Sequence, residues 1–293
     1  MQETPSPGYY GLPIIHSPVW TWQIGAYFFI GGAAGMSGVL AFAALIGGQP
    51  IALVRAALRI ALAGAVLSPI LLIWDLGRPT RFLNMLRVFK WRSAMSVGVW
   101  TLIAFSAFAG SSFLTLEVWP ADATTTIGSS VLVVLVGGTA LTGAVLATYT
   151  GVLLGVTAVP AWASHHRLLP VHFGVVALGS AAALLELMGF RAAPLSAIGI
   201  AASAIEIAIG GFVELRRRRA EGRSLREGVP GWLLRSSGAL TGPVSLVLRL
   251  AGLIAAAAAC FVIGAIFSRY GWLLAGRASA RDPEETLNAQ RRP

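Results

Sequence analysis

Apolar runs of close to twenty residues recur along this chain, separated by short segments that hold nearly all of its charge. A helix needs about twenty apolar residues to cross a bilayer core. Lipid offers no partner to backbone N–H and C=O groups, so such runs must satisfy them internally as helices. The fold expected is therefore all-α and polytopic. Composition agrees: 56% of the 293 residues are hydrophobic and only 12% are charged, with a mean hydropathy of +0.75. An ordinary soluble domain carries about twice that share of charge. A net charge of +10 would suggest nucleic acid in a soluble chain. Here the arginines flank apolar runs, so they read as topology determinants and lipid-headgroup partners, with no nucleic acid expected. The single cysteine, Cys260, lies in an Ala-rich run and reads as a small buried hydrophobe. One thiol cannot hold an iron–sulfur cluster. The first nineteen residues hold no Lys or Arg, so no basic n-region marks a cleavable leader, and the first run is expected to stay as a helix.

The runs predict helices over about Trp20–Ile46, Ile51–Trp74, Ala94–Leu114, Ile127–Leu154, Pro170–Gly189, Leu195–Leu215 and Leu250–Trp272. A weaker stretch, about 229–248, is interrupted by Arg235, Gly242 and Pro243. Parity argues for counting it. With eight spans, the 74–92 loop, the 165–167 loop, the 216–227 loop and the tail share one Arg-rich face, which the positive-inside bias places in the cytoplasm of a bacterial inner-membrane protein. The expected organisation is one membrane domain: a first four-helix bundle over about 20–158, a second over about 170–272, and a tail over 273–293. Gly31, Gly32, Gly35 and Gly38 should let the first helix pack closely on its neighbours. Arg55 and Arg59, four residues apart, should snorkel to the interface.

The stretch WDLGRPTRFLNMLRVF, Trp74–Phe89, puts an acid, a Gly-Arg-Pro turn and further arginines where a helix leaves the bilayer. Ionisable groups at such a boundary mark ligand or proton sites by default. Three pieces of sequence bring polar groups to the same face: His16 before the first helix, Asp75 and Arg78 after the second, and Tyr149 with Thr150 near the end of the fourth. A quinone suits this set. Its two carbonyls need hydrogen-bond donors, and its redox chemistry moves protons that a His or Asp can carry. Each residue also has a plainer reading: His16 as an interfacial residue, Asp75 with Arg78 as a structural ion pair, and Tyr149 as an interfacial anchor.

At these residues the chain resembles a known family. WDLGRPTRFLNMLRVFKWRSAMSVGVW resembles the connection between the second and third helices of the NrfD family, the membrane subunits of polysulfide-reductase-type complexes. The likeness extends to WTWQIGAYFFIGGAAGMSGVL, TYTGVLLG and SRYGWLLAGRASARDPE, and so to nearly the whole chain. It implies eight helices in two four-helix bundles. It also implies electron exchange between the quinone pool (menaquinone or ubiquinone) and a four-cluster iron–sulfur partner, which serves a molybdopterin-type catalytic subunit. No haem or metal is implied in this subunit. Residue by residue, it implies a quinone pocket of His16 and Tyr149 with Asp75 beside them. The segment SSGALTGPVSLVLRLAG departs from the pattern, being short for a spanning helix. The partner of polysulfide reductase docks outside the membrane, whereas the arginine bias puts this pocket inside, and the sequence leaves that side open.

Three rivals were weighed. A haem anchor needs paired axial histidines; of His16, His165, His166 and His172, only His172 can enter a span, and His165 and His166 read as solvated loop residues. A transporter would show inverted repeats and midplane breaks, and no repeat is visible. A purely structural anchor needs only the spans and a docking face. Glu186, Glu206 and Glu214 interrupt apolar helices, and Glu206 is the deepest. As a carboxylate among apolar neighbours it must be protonated or paired. It is the expected member of a proton path, with a neutral interhelical hydrogen bond as the alternative.

Overall fold

The computed structural model describes residues 20–76, 86–118, 126–217 and 223–290. Among these the chain is all-helical. In order, the elements are α1 (Trp22–Ile46), α2 (Ile51–Asp75), α3 (Ala94–Val118), α4 (Thr126–Gly155), a short α5 (Pro160–Ala163), α6 (Leu168–Leu187) and α7 (Ala193–Arg217). After a 3-10 turn at Arg223–Leu225 come α8 (Gly228–Ala239), a π-helical turn (Leu240–Val244), α9 (Ser245–Leu250), α10 (Ile254–Arg281) and α11 (Pro283–Gln290). Seven of these, α1 to α4, α6, α7 and α10, are long and apolar enough to cross a membrane. The chain is thus a multi-pass membrane protein.

Local chemistry explains the boundaries. The α1–α2 turn is closed by Gly48 at φ 63, a conformation that favours glycine, and Pro50 then opens α2. α10 runs well past the Trp272 expected from hydropathy, because Ala, Leu and Arg continue the helix beyond the apolar window. It stops at Asp282, which is extended (φ −91, ψ 111) and precedes Pro283, where the proline ring disfavours the helical region. The weak stretch is helical but broken. Gly242 leaves helical geometry (φ −94, ψ −105) and Pro243 removes a backbone donor, so the turn between α8 and α9 widens to a π form.

The first four helices form a closed group, in which α1 packs on α2 and α4, and α3 packs between those two. α1 and α4 meet at Gly35 and Gly143, each lying against the backbone of the other so that a Cβ at either would strike a carbonyl. Such small-residue contact takes the place of a hydrophobic driving force that lipid does not supply. The later helices pack around α10, which touches α6, α8 and α9, while α6 also touches α7. α1 joins the groups by packing on α6 and α10. Arg55 does not simply snorkel; it pairs with Glu117 at 3.0 Å, tying α2 to α3 at the end remote from the Arg-rich face. Cys260 is half-buried.

Candidate functional site

Asp75 is the last residue of α2, and its carboxylate caps the neighbouring α1. The Thr21 N–H donates to Asp75 Oδ1 at 3.0 Å, and the Thr21 hydroxyl bonds the same oxygen. A carboxylate at a helix N-terminus meets unpaired N–H groups and the positive end of the dipole. From the other side, Arg277 of α10 lies within electrostatic reach of Asp75. The acid therefore ties the end of α2 to the start of α1, with α10 within electrostatic reach. Around it the Trp22 and Trp74 rings meet edge to face at 5.9 Å, and the Tyr270 hydroxyl donates to the Trp22 carbonyl at 2.9 Å.

Tyr149 comes to the same end of the first group from α4. Its ring lies on the bare backbone of Gly98, where a Cβ would collide with the phenol. Its hydroxyl has the Tyr27 phenol of α1 as a side-chain partner. Tyr27 went unremarked in the sequence as more than an entry aromatic, yet it is the residue that orients Tyr149. Thr150 is buried beside it. Of the four residues expected to hold a quinone, the structure brings Asp75 and Tyr149 to one end of the α1–α4 group; His16 and Arg78 lie outside the described residues.

An aromatic wall continues from this end toward the later helices. Trp20 stacks on Trp162 at 5.4 Å, and the Trp162 Nε1–H donates to the Trp272 carbonyl at 2.7 Å. The expectation that His165 is a solvated loop residue is wrong. It is 3% exposed, packs edge-on against Trp272 at 5.3 Å and bonds the Ala161 carbonyl through Nδ1 at 2.9 Å. The reason is the short helix α5, which folds the 155–168 connection down onto α10 so that one of the two histidines faces inward. His166 remains exposed, as expected.

A second polar centre lies among the later helices, and Glu206 belongs to it. Glu206 is not isolated: its Oε1 is 3.0 Å from His172 Nδ1, and its Oε2 accepts from the Thr241 hydroxyl of the π turn at 3.4 Å. The other ring nitrogen of His172 bonds the Ser268 hydroxyl at 2.8 Å. Arg269, on the next position of α10, is 1% exposed. It donates to the Phe173 carbonyl at 2.8 Å and lies 3.7 Å over the Phe173 ring. Its Nε and Nη1 have no hydrogen-bond partner, and the Glu206 carboxylate is its electrostatic partner. A cleft of about 200 Å³ between α7 and α8 reaches this centre, with exposed Glu214 and Arg235 among its lining residues and His172, Glu206 and Ser268 at its floor. Toward the far end, Glu186 and Arg249 form a buried two-pronged pair with both N–O distances 2.7 Å, and the guanidinium rests against Gly199.

Helices of spanning length, aromatic residues at one end and charged groups buried between helices define an integral membrane protein built around internal polar chemistry. The chain belongs to the NrfD family: residues 14–207, about two thirds of its length, match the family model described as Polysulphide reductase, NrfD. Members of this family are membrane subunits of redox complexes. The matched stretch contains His16, Asp75, Arg78, Tyr149, His172 and Glu206, and leaves out Arg249, Ser268 and Arg269. A search of curated proteins gave no match.

Proposed function

We propose that this chain is the quinone-handling membrane subunit of a multi-subunit oxidoreductase in the bacterial inner membrane. It would exchange electrons between the quinone pool and an iron–sulfur partner of four-cluster ferredoxin type, which serves a molybdopterin-type catalytic subunit. What supports this reading is that α1 carries both partners, Thr21 bonded to Asp75 and, further along, Tyr27 paired with Tyr149, in a chain of the NrfD family. A structural tether has no need of a buried phenol pair.

In this reading the quinone is a substrate held at that end. Tyr149, oriented by Tyr27, donates to one carbonyl oxygen as it gains negative charge, and His16 exchanges a proton at the other. Asp75 fixes the helix ends and steadies the charge on His16, while Arg78 holds the loop. The chain supplies no redox centre; its contribution is to keep the quinone within electron-transfer reach of the partner and to manage two protons. In this reading the broken α8–π–α9 path makes an eighth crossing, so that the helices group as two bundles of four. That count returns the C-terminus to the Arg-rich face, as the charge bias requires. Glu206 belongs to a proton path through the second bundle. An ion or proton transporter is the rival that the π break and midplane carboxylate favour, and partner-free proteoliposome flux would be its sign.

The test is binding of a quinol analogue to the purified full-length chain, wild type against His16→Ala and Tyr149→Phe. Loss of one hydrogen bond worth about 1 kcal/mol should weaken saturable binding about fivefold in Tyr149→Phe. Absence of binding by folded protein leaves a tether and overturns the reading.

A further inference from the structure

Resting on the reading of Glu206 as part of a proton path, we propose that His172, Glu206 and Ser268 form a proton-loading site served from the Arg-rich face. In it His172 takes protons from the cleft and passes them to Glu206, and Arg269 is a fixed positive charge that reserves the site for protons against metal cations.

The imidazole is placed as a relay. Its two nitrogens are engaged at opposite edges, Nδ1 with Glu206 at 3.0 Å and Nε2 with Ser268 at 2.8 Å. In the neutral ring with Nδ1–H donating to the carboxylate, Nε2 accepts from the Ser268 hydroxyl. A proton arriving through the cleft binds Nε2 as the Nδ1–H bond breaks and an O–H bond forms at Glu206 Oε1. The ring leaves the step neutral with its proton now on Nε2, and a tautomer change through the cleft resets it. Charge is conserved: one proton enters and one carboxyl is formed. The charged and titratable groups facing the ring are Glu206 of α7, Arg269 of α10, and Glu214 and Arg235 where α7 and α8 line the cleft.

Access is one-sided. The cleft runs along the Arg-rich-face half of α7, from Glu206 to Glu214, and is closed on the other side by Leu234, Arg235, Ser237 and Gly238 of α8. Beyond Glu206 toward the opposite end, Ala183, Ala202, Ala258 and Phe261 close into a dry cluster, with the Phe261 ring against Gly179. The Glu186–Arg249 pair lies past that plug.

The charge argument selects the ion. Glu206, Thr241 and Ser268 supply the oxygens that a hard cation uses, which by themselves would suit sodium. Arg269, however, has its electrostatic partner in Glu206 and two nitrogens without hydrogen bonds. A metal cation beside that guanidinium would meet like charge in a low-dielectric interior and would have to shed its water. A proton that neutralises the carboxylate does not require a new ion to be dehydrated and held there.

The experiment is time-resolved infrared spectroscopy of the full-length chain in sealed, orientation-sorted proteoliposomes after a pH jump. The protonated-carboxyl C=O band should appear in wild type and be missing in Glu206→Gln. In His172→Ala it should rise about 100-fold more slowly, the scale of a lost acid–base group, and added imidazole should restore the rate by occupying the vacated floor of the cleft. His172→Asn, which keeps a hydrogen-bonding side chain but cannot relay, should be slow as well. A jump on the Arg-rich side should produce the band and one on the opposite side should not, and replacing sodium by choline should change nothing. If Glu206→Gln removes the band while both His172 variants keep the wild-type rate, the relay is wrong and the Glu206 proton path stands. An unchanged band in Glu206→Gln sinks both. Equal response from both sides, or a rate set by sodium, overturns the access or the ion selection.

Discussion

The Glu186–Arg249 pair gives the sharpest forecast of stability, because its geometry leaves little freedom in the bookkeeping. Both side chains are essentially inaccessible, at 1% and 0% exposure, and two parallel N–H···O contacts of 2.7 Å join the end of α6 to α9. Two unit charges about 4 Å apart attract by about 4 kcal/mol at an effective dielectric of 20. That attraction offsets the desolvation of both ions, so the pair as a whole is close to neutral against a well-packed apolar replacement, whereas removing one member strands the other. Breaking a buried pair from one side costs about 3–5 kcal/mol. Glu186→Gln leaves the Arg249 guanidinium buried against Gly199 with a neutral amide in front of it. At about 2–4 °C per kcal/mol for a chain of this size, its thermal midpoint should fall by roughly 6–20 °C. Glu186→Leu with Arg249→Met, which removes both charges and keeps the volume, should return to within about 1 kcal/mol of wild type. Tryptophan fluorescence during heating in detergent measures all three. A Glu186→Gln shift below about 3 °C, or a double variant as unstable as the sum of the singles, would refute the claim that the charges stabilise each other across a dry interface.

Two smaller changes probe the Asp75 end. Asp75→Asn keeps the shape but loses the charged partner of the Thr21 N–H and hydroxyl, and should cost about 1.5–3 kcal/mol while freeing the start of α1. Amide hydrogen exchange at residues 21–24 should rise, and unchanged protection there would mean that Asp75 does not hold the helix end. Trp162→Phe keeps the stack on Trp20 but removes the indole hydrogen bond to the Trp272 carbonyl, which retains its partner within α10, at a cost of about 0.5–1.5 kcal/mol. The same melting assay reads it, and a wild-type midpoint would show that the indole N–H adds nothing to stability.

The membrane class and seven helices were legible because hydropathy alone decides them; the runs that open at Trp20, Ile51 and Leu195 became α1, α2 and α7 with ends displaced by a few residues. The sequence put Asp75 and Tyr149 on one face because helix parity places alternate ends there, whatever the packing; it did not reveal their partners, Thr21 and Tyr27 of α1. The later centre was not. Glu206 finds His172 thirty-four positions away and His172 finds Ser268 ninety-six away, and no period within one helix encodes such pairings. Arg249 and Arg269 looked like flanking charge, although each sits inside an apolar run with leucine, isoleucine, phenylalanine or tyrosine nearby. A lone arginine so placed, with Gly199 on another helix to receive it, was the signal to follow. His165 was misjudged because a Pro-started turn, α5, reverses a connection that reads as loop from composition.

The charges along α10 link the Asp75 end to the buried centre. Arg277 lies near Asp75, and Arg269 has Glu206 as its electrostatic partner. With a rise of 1.5 Å per residue, these two arginines are about 12 Å apart along the helix. Unit charges at about 12 Å in an effective dielectric of 20 interact by about 1.4 kcal/mol, a tenfold change in an equilibrium. A change of charge at Arg277 therefore bears on Arg269, and through it on Glu206, less the screening that half-buried Arg277 receives from solvent. Trp272, on this stretch of α10, and Trp162, which bonds its carbonyl, are both nearly inaccessible. Under the proposed function, with protons released at the Asp75 end and one held at Glu206, α10 is the element that the two sites share.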